Sequence, residues 1–453
     1  MPSLPSLRSV RCALLLACGV AACADVAAGA EEPKAKAIPP RPAQSLALES
    51  YGYRPSSNNI ALRAGYTNAT VSFIDADNIL LTYSARKLMA RNPEQREGDD
   101  DHTVRAVVVH LPDGKAVRET EWRMHDRAPY LWPLADGRFL LRIRGNLYSL
   151  DPLGSFDPAH LGQRLAVESS NDLVVLQLSP TRDLMILETA PAAKIGDDPE
   201  AKRGRVITAN FFRIAIGKDS TIQLTNRGRA STADPFSLAF TSMGVLQSIK
   251  EDRTHWGFDF HSYGGKNVEL AGFTTTCRPR PIFISDAEFF AYGCRGGEDR
   301  RLMGGFNLMA EAKWVFTTDD PPLWLSVDAA PAVGRFAMRN TVTSVPMPEE
   351  ELRFGDDIRG QEVRVFGDRL GNELLRVTAS PTQRPDGNFA LAPDGLRLAV
   401  LHDTQLEIYN LPPIDAADRK LHEREVQALA PLRKSAEADI AAALSDPDQK
   451  SRR

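Results

Sequence analysis

The sequence predicts an all-β fold, a seven-bladed β-propeller of four-stranded antiparallel blades, followed by a short C-terminal tail that is helical or disordered. Three observations lead there. A phrase of the form apolar–x–apolar, turn, apolar–x–apolar occurs seven times along the chain. A second strand–turn–strand phrase follows it in most units. The last unit is one strand short, and an extra strand stands ahead of the first.

The first phrase reads "VSFIDADNILLTY" at 71–83, "YLWPLADGRFLLRI" at 130–143 and "VLQLSPTRDLMIL" at 175–187. It returns as "SLAFTSMGVLQSI" (237–249), "IFISDAEFFAYGC" (282–294), "LWLSVDAAPAVGRFAMR" (323–339) and, within 389–401, "LAPDGLRLAV". Turn markers at Asp75, Asp136, Thr181, Ser242, Asp286, Ala329 and Asp394 set an irregular period of roughly fifty residues, the range of propeller blades. The second phrase is "RAVVVHLPDGKAVRETEW" (105–122), "FFRIAIGKDSTIQLT" (211–225), "WGFDFHSYGGKNVELAGF" (256–273), "GGFNLMAEAKWVF" (304–316) and "QEVRVFGDRLGNELLRV" (361–377). The second unit offers only "NLYSLDP" (146–152), the seventh only "QLEIYNLP" (405–412).

Period-two alternation marks half-buried strands. Pairs such as Asp113-Gly114, Gly264-Gly265 and Gly371-Asn372 supply the positive φ of tight hairpins. A small four-stranded sheet cannot bury both faces alone, and packing such sheets radially hides them while leaving short edges. The ring therefore spans 44–412, with "SLALESYGY" (45–53) placed to complete the seventh blade.

The ends are different. Arg8 and Arg11 precede the apolar run "CALLLACGVAAC", the layout of an export signal and too short to cross a bilayer. Two processing readings stand. One is cleavage after Ala30, giving a 1–30 signal peptide. The other removes 1–22 and acylates Cys23, because Val20-Ala21-Ala22-Cys23 resembles a lipobox. Residues 31–43 form a Pro- and Lys-bearing tether with no core pattern. The expected location is periplasmic or extracellular, with membrane contact only through such an anchor. Residues 413–453 are rich in Ala, Glu, Lys and Leu and read as helix interrupted at Pro431, docked or disordered.

Bulk composition excludes some classes. With 453 residues, 43% apolar, 25% charged and a net charge of -4, the chain has no basic footprint for nucleic acid. Of five cysteines, Cys12, Cys18 and Cys23 lie in the leader, leaving Cys277 and Cys294. Export makes their disulfide the expected state, with two separate buried thiols as the alternative.

Chemical motifs are sparse. Gly-x-Ser-x-Gly, P-loop, GxGxxG and HExxH are all absent. In "HWGFDFH", His255, Asp259 and His261 share a strand face opposite Trp256, Phe258 and Phe260. His255 and His261 stand roughly 20 Å apart in an extended strand, too far for one metal ion. "REGDDDH" (96–102) lacks EF-hand spacing and reads as an acidic loop. "DADN" (75–78) reads as a hairpin turn. Trp122, Trp132, Trp256, Trp314 and Trp324 are expected to pack between blades, with one or two lining the top face to stack on a sugar or peptide as the alternative. "RPR" (278–280) reads as a loop that solvates an edge, with anion binding the less favoured alternative.

"LAPDGLRLAVLHDTQLEIYNLP" (391–412) resembles the repeat of WD40-like bacterial propellers. "RGNLYSLDP" (144–152) and "LPDGKAVRETEW" (111–122) are similar to repeats of quinoprotein-like propellers. The Gly-His and Trp-Asp dipeptides of WD40 repeats are missing, and the tryptophan pattern is met only at Trp122 and Trp314. The resemblance implies an exported propeller platform and carries over no active site. The expected function is a non-enzymatic binding or scaffold module for a protein or small ligand, without catalytic, cofactor-binding or metal residues. The alternative is a propeller enzyme, quinoprotein-like or metal-dependent, with its site in the central funnel.

Overall fold

In a computed structural model the structure describes residues 41–54, 69–87, 102–124, 129–143, 146–154, 164–165, 172–190, 207–217, 221–232, 238–297, 300–345, 357–367, 369–383 and 387–445. Cys12, Cys18, Cys23, the whole leader and most of the tether, and 96–101 of the acidic loop lie outside these residues. So does the tip after residue 445.

Seven four-stranded sheets form the body, each built in strand order from a consecutive stretch of chain. Blade 1 runs Ala69–Phe73, Asn78–Lys87, His102–His110, Lys115–Met124, antiparallel throughout, with Val71 opposite Leu81 and Val107 opposite Glu119. The seven repeated phrases are the inner hairpins of the seven blades. Among the described residues the outer strand of blade 2 is Arg164–Leu165.

Blade 7 contributes three strands, Phe389–Leu391, Arg397–His402 and Gln405–Asn410. The fourth is Gln44–Ala47 from the start of the ring, Gln44 facing Ile408 and Ala47 facing Gln405. The extra strand ends at Ala47, earlier than its sequence pattern indicates. Leu48–Tyr51 turns into a 3-10 helix closed by Gly52 at φ +83°. This turn drives Leu48, Tyr51 and Tyr53 into the joint between blades 7 and 1, so the ring is clasped by hydrogen bonds and by apolar burial together.

The core is divided in the same way. Seven hydrophobic clusters are found among the described residues, one at each joint between neighbouring blades. Alternate residues of each strand face the two flanking joints: in blade 1, Val107 and Val109 meet blade 7, while Val104, Ala106 and Val108 meet blade 2. No blade has a core of its own, which is why the sequence needs all seven.

The tail is helical and docked, where the sequence left docking and disorder open. Helix α1, Ala416–Ala428, starts where the Asp415 side chain accepts from the Ala417 N–H at 2.8 Å. Helix α2, Ala430–Ser445, carries Pro431 in its first turn, a position that does not need the missing N–H. The helical tail is thus interrupted as expected, at Leu429 just ahead of the proline, which sits in the first turn of the second helix. Leu429, Leu432 and Ala436 enter the joint between blades 4 and 5, beside Phe258, Phe289 and Phe306. Burial of each leucine contributes on the order of 2 kcal/mol.

Candidate functional site

The innermost strands enclose an axial cavity of about 1050 Å³. Its two ends differ, and blade 5 shows how. Arg280 opens the innermost strand Arg280–Phe283, and Asp286 lies in the turn that follows it. The two residues therefore mark opposite ends of the channel.

At the turn end, side chains reach across the axis. Ser242 of blade 4 donates to Asp286 at 2.7 Å, and Thr181 of blade 3 donates to it at 3.2 Å. Arg182, also of blade 3, pairs with Asp328 of blade 6 at 3.1 Å. The Leu391 N–H of blade 7 donates to the other Asp328 oxygen at 2.8 Å. Arg433 of α2 reaches Asp286 from outside at 3.1 Å. Burial pushes both carboxyls above the ordinary carboxylate range: Ser242 and Arg433 only partly oppose this at Asp286, Arg182 and the Leu391 N–H at Asp328. Five blades and the tail are latched together here, so the channel is a funnel narrowed at this end.

The other end is an open mouth where three arginines of blade 5 meet the cavity. Arg278 and Arg280 lie on the connection into blade 5 and Arg300 on the next loop of the same blade, and all three line the cavity. Cys277 and Cys294 tie these loops together, their Sγ atoms 2.07 Å and their Cα atoms 5.4 Å apart. The Arg300 guanidinium donates to the carbonyl oxygen of Arg278 at 2.9 Å. Sequence reasoning placed Arg278 and Arg280 at a solvated edge. The structure puts them on the funnel wall, because the connection preceding each blade's first strand runs to the axis. Asp328 is the lining carboxylate among the described residues, and its charge is matched by Arg182. Arg278 and Arg280 have no carboxylate partner among the described residues. No histidine, glutamate or cysteine joins the lining among the described residues.

The other residues singled out from sequence do not converge. His255 Nδ1 meets Asp252 at 2.9 Å, and His261 Nδ1 meets Asn267 at 3.0 Å. Asp75 Oδ1 accepts from the backbone N–H groups of Asp77 and Asn78, both at 2.8 Å, the side-chain-closed turn expected there. Trp122 is buried between blades 1 and 2, Trp324 is buried, and Trp314 stacks on Phe316. Trp132 packs against the joint of blades 2 and 3 and also lines the funnel.

One cluster escaped sequence reasoning altogether. Glu288, Asn307 and Lys313 of blade 5 meet His422 and Glu425 of α1 in a buried joint. Lys313 Nζ pairs with Glu288 and lies 3.5 Å from Glu425. Asn307 donates to Glu425 Oε1 at 3.0 Å, and His422 Nδ1 lies 4.0 Å from Glu288 Oε2. Burial raises the Glu425 pKa, but the Glu288 hydrogen bond, Lys313 and Asn307 outweigh it and hold the carboxyl below its ordinary range. Oxygen and nitrogen donors of Glu288, His422 and Glu425 lie within 4.8 Å of one another, close enough to suggest a divalent metal. The Lys313 ammonium already sits on both carboxylates. A dication added to it would leave net positive charge in a buried space, at high desolvation cost. The cluster is built as a structural joint. Its one sequence signal was His422 and Glu425 at helical i, i+3 spacing.

No family model and no curated relative matches the chain. Solved structures give distant likenesses. A dihydro-heme d1 dehydrogenase, NirN, is 13% identical with a TM-score of 0.37, over 83% of this chain and 80% of that one. The acylaminoacyl peptidase of Pyrococcus horikoshii is 10% identical with a TM-score of 0.43, over 78% of this chain and 54% of that one. The C-terminal WD40 domain of Sif2 is 9% identical with a TM-score of 0.33, over 76% of this chain and 97% of that one. The neighbours thus include enzymes and a repeat domain, and likenesses this distant say nothing about activity. The propeller assignment rests on this chain's own strand order.

Proposed function

We propose that the protein is an exported binding module whose ligand sits in the axial funnel. The observation that carries this reading is the funnel itself, about 1050 Å³, latched across the axis at one end and open at the other. Concave, partly apolar cavities with a few placed polar groups are the usual form of a ligand site. Its walls offer Ser72, Gln177 and Ser248 beside Leu131, Trp132 and Val327, a lining suited to holding a molecule rather than to proton transfer, which needs a titrating pair in reach of the substrate. Export is supported by Arg8 and Arg11 ahead of the apolar leader, and by two remaining cysteines brought to bonding distance.

The test screens small molecules by thermal shift and native mass spectrometry. Stabilising ligands are expected, and Ser72→Trp and Val327→Trp, each filling the funnel from a different blade, should abolish the shift while retaining the folded circular-dichroism spectrum. Turnover of any sugar, lactone or alcohol in a broad panel, with or without quinone and calcium, would overturn the scaffold reading. Secretion of a reporter fused to residues 1–43, and its loss with 1–30 deleted, checks export. Incorporation of labelled palmitate that Cys23→Ser removes distinguishes the lipoprotein from simple cleavage.

A further inference from the structure

We propose that the funnel takes an uncharged short saccharide, one pyranose ring stacked on the Trp132 indole with its hydroxyls on Ser72 and Gln177. This rests on the reading of the funnel as the binding site and adds the chemical class of its ligand.

The first argument is a shared level of the channel. Ser72, Trp132 and Gln177 each stand one position before the end of an innermost strand, in Ala69–Phe73, Leu131–Pro133 and Asp172–Leu178. Blades repeat around the propeller axis, so the three residues form one level on three consecutive blades, with the indole in the middle. All three are half-buried and line the cavity. Across the axis, the same position on blades 5 and 6 holds Ile282 and Ala329. On blades 4 and 7 it holds Ala239 and Ala390. Three of these four side chains are single methyl groups, which leave space in front of the indole.

The second argument is the kind of hydrogen bond on offer. The Ser72 hydroxyl has no partner among the described residues, and a hydroxyl both donates and accepts. The Gln177 amide nitrogen donates to Glu188 Oε1 at 3.2 Å, which leaves the amide oxygen as an acceptor. Neutral donors and acceptors on either side of a platform match the rim of a sugar ring, whose hydroxyls act as both. The lining carboxylate among the described residues, Asp328, is paired with Arg182 at 3.1 Å and adds no net charge to the wall. A flat apolar molecule would cover the hydroxyl and the amide without satisfying them, at a cost in free energy.

The third argument is the indole itself. Trp122 and Trp324 are buried, whereas Trp132 packs against the joint of blades 2 and 3 and still borders the cavity. An indole offers a large, rigid apolar face. The C–H face of a pyranose covers such a surface while its hydroxyls remain at the rim. The cavity, about 1050 Å³, stands at the upper end of small-ligand sites, which suits a few rings rather than one.

The experiment is calorimetric titration of the purified chain, with tryptophan fluorescence as a second readout. The probes are cellotriose, maltotriose, mannotriose and triacetylchitotriose. Sorbitol has the hydroxyls without the ring face, and caffeine is a flat ring without hydroxyls. At least one trisaccharide should bind more tightly than sorbitol and caffeine. Trp132→Ala should weaken it about tenfold and Trp132→Phe less, because a smaller ring remains. Ser72→Val should weaken it about fivefold, the yield of one neutral hydrogen bond. Trp256→Phe should leave it unchanged, because Trp256 does not line the cavity. The emission change on binding should vanish in Trp132→Phe and persist in Trp256→Phe. Binding of sorbitol or caffeine as tight as that of every trisaccharide overturns the saccharide. So does failure of all four trisaccharides; if Val327→Trp still abolishes the thermal shift of other ligands, the funnel reading stands. Trisaccharide binding that survives Val327→Trp, or that neither Trp132→Ala nor Ser72→Val weakens, overturns the placement at this level.

Discussion

Blade 5 carries two clusters of charge that the fold treats in opposite ways. At the funnel mouth, Arg278 and Arg280 stand exposed, with no carboxylate partner among the described residues. On the blade's flank, Glu288 and Lys313 are buried under α1 with Glu425 and His422, and Lys313 bridges the two carboxylates. The difference follows from solvent. A buried ion without a partner costs several kcal/mol, so the joint is internally matched. At the mouth water screens the arginines, so charge there is tolerated without a partner. Charge matched at high cost marks a fastening.

The comparison can be broken at its strongest point first. Lys313→Met leaves Glu288 and Glu425 facing each other in a buried space, and should cost about 3–5 kcal/mol in chemical denaturation. A variant as stable as wild type would mean that Lys313 does not hold the carboxylates together. Replacing both Cys277 and Cys294 with serine should cost about 3 kcal/mol by lengthening the accessible states of the unfolded chain. Wild type in reductant should then match the variant; equal stability with and without reductant would mean the bond does not form.

Acid separates the two clusters by a subtler effect. Glu425 titrates below the ordinary glutamate range, so its contribution to tail docking is complete above that range and is lost as pH falls through the lowered value. Asp286 and Asp328 are shifted upward. Their contribution is therefore complete below the ordinary aspartate range and fades as pH rises through the raised values. The two effects oppose each other in a global melt. Amide exchange along α1 is the proper readout, and it should quicken on acidification. Protection of α1 that is indifferent to acid would contradict the joint's role. The smallest effect is expected at the mouth: Arg278→Ala with Arg280→Ala should change stability by no more than about 0.5 kcal/mol. A larger loss would show that these arginines are fold-bearing after all.

The blades were legible because their information is local. "VSFIDADNILLTY" and its six counterparts each hold an inner hairpin complete with its turn, and the Asp75 turn closes through bonds spanning two and three residues. The seventh blade's missing strand could be counted for the same reason. The tail was only half legible. Alanine-rich helix propensity marks residues 416–445, but three apolar contacts, Leu429, Leu432 and Ala436, are too few to announce docking. The arginines of loop 278–280 are exposed, as a solvated loop requires, but nothing in "RPR" itself says that its chain segment ends on the ring axis.

From sequence alone came the strand periodicity, the sevenfold count, closure of the seventh blade by the segment 45–53 and the expected pairing of Cys277 with Cys294, all consequences of short-range pattern or of simple arithmetic. Tertiary structure decided which residues meet around the axis. Arg182 finds Asp328 across 146 positions of chain, and Lys313 finds Glu425 only because α1 folds back onto blade 5. Such encounters depend on how successive sheets close into a ring, and no window of sequence contains that geometry.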